Sequence, residues 1–224
     1  CGMPFLLSLN LGQARPSPHT DVEVTGIDKR PTEGPVEVRA PGHKHGGLGS
    51  GLVGDAVCDR RHHGGDHQAV YAYAREDLDN WSAELGRPLT AGSFGENLTT
   101  SGLDVTGALI GERWRIGDQV VLEVACPRIP CRTFAGWLAE PDWIKRFTRA
   151  AIPGAYLRVI EPGTVRAGDP VDVVQRPDHD ASIGLAFRAL TLEPQLLPRL
   201  LRADAFPAED REVARRLAAR KGLV

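Results

Sequence analysis

The chain has 224 residues, 42% hydrophobic and 25% charged, which is long enough to bury a sizeable core and too apolar for a disordered or fibrous protein. Its net charge of -2 and pI near 6.4 remove any broad electrostatic drive toward nucleic acid or an anionic membrane, so no nucleic-acid partner is expected. No apolar run is long enough to span a bilayer and the first residues lack the pattern of a secretory signal, so a cytoplasmic protein without membrane association is expected.

The only methionine, Met3, follows Cys1 and Gly2, a pair that reads as an addition ahead of the natural start. Downstream, Phe5, Leu7, Leu9 and Leu11 alternate with Leu6, Ser8 and Asn10, the period of a half-buried strand. Residues 22–27 and 36–39 repeat that pattern, the glycine-rich stretch from Pro41 to Gly54 reads as a loop, and residues 69–74 predict another strand. Leu78, Trp81 and Leu85 have helical spacing. Strands resume near residues 96–99, 113–116, 119–125, 155–160 and 171–174, with Gly117-Asp118 and Gly168-Asp169 suited to turns. After Pro177 the composition shifts to Ala, Leu and Arg, and helices are predicted around residues 182–190, 194–201 and 207–221. The expectation is a mainly β, α+β protein, a barrel or sandwich over residues 3–176 with a three-helix extension over residues 177–224.

The cysteines, Cys1, Cys58, Cys126 and Cys131, form no paired framework and are expected as thiols. The stretch Cys126-Pro127-Arg128-Ile129-Pro130-Cys131-Arg132 leaves a strand, is stiffened by two prolines and sets Cys131 between two arginines, where positive charge favours thiolate. Cys126 reads as a packing residue. No second cysteine pair or histidine pair follows at zinc-site spacing. A second cluster, Asp59-Arg60-Arg61-His62-His63-Gly64-Gly65-Asp66-His67, joins cations to glycine backbone that could cradle a phosphate, though each member alone reads as a solvated turn. His62, Asp66 and His67 also approach the H-x-H-x-D-H pattern of zinc metallohydrolases, but Gly64 stands where the middle histidine belongs. Gly49 to Gly54 spells G-x-G-x-x-G without the strand, helix and parallel α/β context that a dinucleotide site needs. In Phe94-Gly95-Glu96-Asn97-Leu98, the Asn97 amide could read a heterocycle edge, or Glu96 and Asn97 could tie down their own turn.

Taken in order, Asp59 with His63-Gly64-Gly65, then Ala69-Val70-Tyr71-Ala72-Tyr73, Phe94 to Leu98, and Pro127 to Cys131 resemble the MOSC domain superfamily, and the helical tail resembles that of its YiiM-type members. The resemblance implies a β-barrel-like domain holding a molybdenum pyranopterin, with Cys131 as metal ligand. Cofactor contacts are expected from Arg60, Arg61, His63, Gly64, Gly65, His67, Asn97, Arg128 and Arg132. Where relatives commonly read Pro-Asp-Lys after His-Gly-Gly, this chain has Asp66-His67-Gln68, which shifts a cationic contact toward His67. The implied reaction is two-electron reduction of a small N-hydroxylated compound, of hydroxylaminopurine type, to its amine with loss of water. Protons would come from Glu96 or His63, and electrons from a separate reductase, since no flavin, iron-sulfur or nicotinamide motif is present. Pyridoxal phosphate is not expected, and a homodimer is compatible with the apolar tail. A non-catalytic carrier of molybdenum cofactor or sulfur is the alternative, with zinc hydrolysis behind it.

Overall fold

A computed structural model describes residues 2–224; Cys1 lies outside the described residues. The chain opens with β1 (Phe5–Gly12), the short hairpin of β2 (Arg15–Pro16) and β3 (Val24–Thr25), then β4 (Lys29–Pro31) and β5 (Val36–Val38). A long loop leads to β6 (Val70–Ala74), α1 (Arg75–Leu85) and β7 (Leu98–Ser101). The middle of the chain holds β8 (Arg113–Ile116), β9 (Val120–Pro127), α2 (Arg132–Leu138) and α3 (Trp143–Ala150). It continues through β10 (Ala155–Glu161), β11 (Gly163–Val165) and β12 (Val171–Gln175) to α4 (Ile183–Thr191), α5 (Leu197–Leu200) and α6 (Ala208–Arg220).

Eight strands form one sheet in the order β12-β8-β9-β10-β6-β7-β1-β4. Its pairings are antiparallel except β6 with β7, which α1 connects, because parallel neighbours need a crossover. Gly86 ends α1 in the left-handed region at φ 65°, returning its N–H to Ser82, the helix stop that glycine makes inexpensive. β9 is buried along its whole length between β8 and β10, as a continuous apolar run demands. The Leu6 N–H donates to the Asp169 carbonyl and the Leu6 carbonyl accepts from the Gly168 N–H at the turn ahead of β12, and Phe5 bridges Pro170. β12 and β4 nevertheless stay at opposite ends of the sheet order, so the expected barrel is corrected to a sheet that is not closed.

The first strand also presents the opposite face from the one its leucines suggest. Phe5 and Leu7 are exposed, while Leu6, Ser8 and Asn10 point inward. The register slips between Leu6 and Ser8, which lets Leu9 be buried as well. The polar inward groups are satisfied: Ser8 donates to Asn10 Oδ1, and Asn10 donates to Thr99 Oγ1 and the Glu96 carbonyl.

Two apolar clusters hold the layers together. One joins sheet residues such as Leu9, Trp114 and Leu157 to Ile183, Leu197, Leu200, Phe206, Ala214 and Ala218 of the tail, as expected from a tail with too many apolar residues to hide by itself. The other is aromatic and gathers Tyr73, Trp81, Phe94, Phe134, Trp143 and Phe147, with α2 and α3 laid over α1. Those two helices are additional to the sequence expectation.

Candidate active site

β9 runs out at Pro127, and the next four residues turn into α2, whose N-cap position is Cys131. The two prolines stop the strand ladder and stiffen this turn. Arg128 is buried, donates to the Phe94 carbonyl, and lays its guanidinium 3.6 Å from the Phe134 ring centroid and 5.1 Å from that of Tyr71. Among the described residues it has no carboxylate within salt-bridge distance; the acidic groups around it are Tyr71, Tyr156 and Cys131. Burial pushes the Cys131 thiol up, but the His63 imidazole bonded to it, the Arg128 charge and the Phe134 backbone N–H more than offset this, bringing it from its ordinary 9.0 to about 6.

Both residues line a cavity of about 730 Å³, mouth included, together with His63, Gly64, Asn97, Lys29, Asp55, Cys58, Tyr71 and Tyr156. His63 reaches it because its turn is packed closely from behind. Gly64 sits at φ 84°, and a side chain there would meet the Gly49 carbonyl at 2.8 Å, so only glycine fits. Those glycines are not a phosphate cradle: the Gly64 N–H donates to Gln68 Oε1 and the Gly65 N–H to the Gly49 carbonyl.

Other expected site residues lie elsewhere, each for a visible reason. Arg60 donates to the Gly47 carbonyl, Arg61 pairs with Asp59, and Arg132 pairs at 2.7 Å with Asp21; all three are exposed. His67 sits in a short 3-10 turn, where burial first and Arg158 second lower its pKa, and it does not line the cavity. Glu96 is fully buried, with its carboxylate accepting from the Gly92 and Phe94 N–H groups and from Thr99 Oγ1. It ties down its own turn, and its expected proton-donor role is corrected accordingly. Asn97 lines the cavity, but its amide donates to the Asn10 carbonyl and Asp55 and accepts from the Tyr71 N–H, so it cannot read a heterocycle edge.

The zinc-hydrolase alternative also fails on placement. His62 bonds to Asp59 and Asp66 accepts from the Gly42 N–H. Among the described residues no group of three or more His, Cys, Asp or Glu side chains could hold a metal ion.

Several lining residues went unanticipated. The Asp55 side chain is fully buried and accepts from Lys29, Ser50, Asn97 and the Gly12 N–H. Lys29 carries no local mark of function in the sequence, and only long-range packing turns it inward to Asp55 while Arg30 beside it stays exposed. Tyr156 alternates along β10 with no local mark of function.

A family model described as MOSC domain matches residues 59–172. The chain is 32% identical over 184 residues to Uncharacterized protein YflK of Bacillus subtilis strain 168, covering 82% of this chain and 79% of that protein. It is 30% identical over 213 residues to a protein named Reductase from Gibberella moniliformis, a match that takes in 84% of this chain and 38% of the longer protein. The crystal structure of YiiM from Geobacillus stearothermophilus is similar with a TM-score of 0.76 and 28% identity, over 96% of this chain and 98% of that one.

Proposed function

The chain belongs to the MOSC domain family and is of the YiiM type, and on that premise we propose that it is a molybdenum-cofactor-dependent reductase of small N-hydroxylated compounds. The observation that carries the proposal is Cys131: a thiol whose pKa lies near 6, in a cavity, beside a buried guanidinium with no carboxylate of its own. A thiolate suits a soft metal. A single protein ligand, in a chain without a metal-binding cluster among its described residues, suits a metal that brings its remaining donors with it, as one held by a pyranopterin does.

When bound, that cofactor supplies two-electron redox chemistry. The protein's own contribution is then binding and proton placement. Cys131 holds the metal, and Arg128 offers its free N–H groups to an anionic group such as the cofactor phosphate. His63, which lines the same cavity and acts on the Cys131 thiol, is placed to pass a proton toward whatever the cavity holds. The aromatic floor of Tyr71, Phe134 and Phe94 keeps water from the buried side of the cavity. A relative named a reductase supports the redox reading, and a separate reductase is proposed as the electron donor.

The test is protein from a cofactor-producing host, assayed for molybdenum, pterin fluorescence and turnover of a hydroxylamine with an artificial electron donor. Molybdenum with turnover, both lost in Cys131→Ser, is the expected result. Zinc without molybdenum overturns the cofactor assignment, and molybdenum without turnover turns the protein into a carrier.

A further inference from the structure

The chain has three tyrosines, and two have their hydroxyls committed. Tyr71 donates to the Pro153 carbonyl; Tyr73 donates to the Ile152 carbonyl and accepts from Trp81 Nε1. Tyr156 differs. It lines the cavity that holds Cys131 and Arg128, and its hydroxyl makes none of the side-chain hydrogen bonds seen among the described residues. The ring cannot turn away to find one, because it packs on Tyr71 with centroids 5.0 Å apart and sits on β10 in register with Cys126 of β9 and Tyr71 of β6. Tyr156 and Cys131 flank the same aromatic cluster. A phenol fixed at the wall of that cavity has its hydrogen-bonding capacity free for whatever occupies it.

We propose that Tyr156 recognises substrate by donating its O–H to the oxygen of the N-hydroxyl group. This rests on the N-hydroxylamine reading above. Substrate and amine product differ at that oxygen, so a cavity made of apolar walls and committed donors would hold both equally and be inhibited by its product. A phenol that the N-hydroxyl satisfies and the amine leaves unpaired creates the preference, since discrimination is strongest where a buried polar group loses its partner. Three other polar groups along the cavity are occupied: Asn97 in its network, Ser50 on Asp55, and Thr133 on the His19 carbonyl, while the free N–H groups of Arg128 are assigned above to the cofactor's anionic group. Tyr156 is therefore a specificity residue, and its ring supports the wall that Arg128 stacks upon.

The experiment compares wild type with Tyr156→Phe, which keeps the ring and removes only the hydroxyl. Calorimetry on cofactor-loaded protein, without an electron donor, measures binding of 6-hydroxylaminopurine and of its amine, adenine; molybdenum content and KM are measured alongside. The expected result is a loss of roughly fivefold to tenfold in affinity for the hydroxylamine, the scale of one hydrogen bond, with a matching rise in KM. Adenine binding and molybdenum content stay unchanged. Unaltered discrimination in Tyr156→Phe overturns the inference and leaves the proposed activity standing. Loss of molybdenum in the variant overturns it differently, by assigning the hydroxyl to the cofactor. A wild type that neither prefers nor reduces the hydroxylamine overturns both readings.

Discussion

Cys131 is the residue on which the site turns, and its chemistry is set by neighbours distant in sequence. His63 lies on the loop before β6 and Arg128 on the exit from β9. The folded thiol ionises at about 6 where 9.0 is ordinary, so the stabilisation is complete above pH 9, declines as the pH falls and is gone below about pH 6. Thiolate absorbance of the cofactor-free protein is expected to titrate near pH 6, and His63→Ala is expected to move that midpoint upward by removing the imidazole's bond to the thiolate. An unmoved midpoint would take His63 out of contact. Glu96 provides the contrast. Glu96→Gln removes acceptor capacity from a buried turn and is expected to lower stability by about 1–3 kcal/mol while molybdenum content is retained, read by thermal denaturation and elemental analysis. The sequence made Cys131 conspicuous because prolines and arginines surround it, whereas Glu96 and Asn97 carry the same letters whether they face a cavity or tie down a turn.

Among the elements, the hairpin of β2 and β3 lies over the cavity mouth. Thr20, Val24 and Thr25 line the cavity, the His19 carbonyl accepts from Thr133, and Asp21 pairs with Arg132 of α2. Gly136 lets the His19 ring rest on α2, since a side chain there would come within 2.2 Å of it. Arg132 thus latches a strap, where the sequence suggested a cofactor contact. Arg132→Ala is expected to speed alkylation of Cys131 by roughly twofold to fivefold, the range of an exposed ion pair; Gly136→Ala should speed it further. Timed alkylation and peptide mapping in a Cys58→Ser background measure this, and equal rates in all variants would mean that the hairpin does not control access. Strands and the tail helices were legible from period and composition. α2 and α3, at 7 and 8 residues, are too short for a helical period to separate from background, and the burial that stabilises them comes from aromatics on other elements. The inverted face of β1 has a similar origin: a bulge resets the alternation midway, and only pairing with β7 reveals it.

At the scale of the whole molecule, the tail and the sheet share one core. Ala181, Ile183, Leu197, Leu200, Ala214 and Ala218 pack in the same cluster as Leu6, Trp114 and Val124, and Phe187 lies against Phe147 with centroids 6.2 Å apart. Phe187→Ala is expected to cost about 3–5 kcal/mol, the range for a buried aromatic, and deletion of residues 180–224 to abolish cooperative unfolding, both measured by circular dichroism melts. A truncated chain with an unchanged melting curve would make the tail an accessory. This shared core was only partly readable, because the surplus of leucines announces that the tail must pack on something and does not say what.

The shared core has a consequence for biosynthesis. A chain emerging from the ribosome can complete an early domain while later ones are still being made, but here the sheet lacks part of its interior until Ala218 has been released. Assembly of the pocket around Cys131 is therefore expected to wait until the tail helices have been made and packed on the sheet. Loading of any cofactor is then expected to follow the packing of the tail helices, because until then the sheet that brings Cys131, Arg128 and His63 together lacks part of its interior.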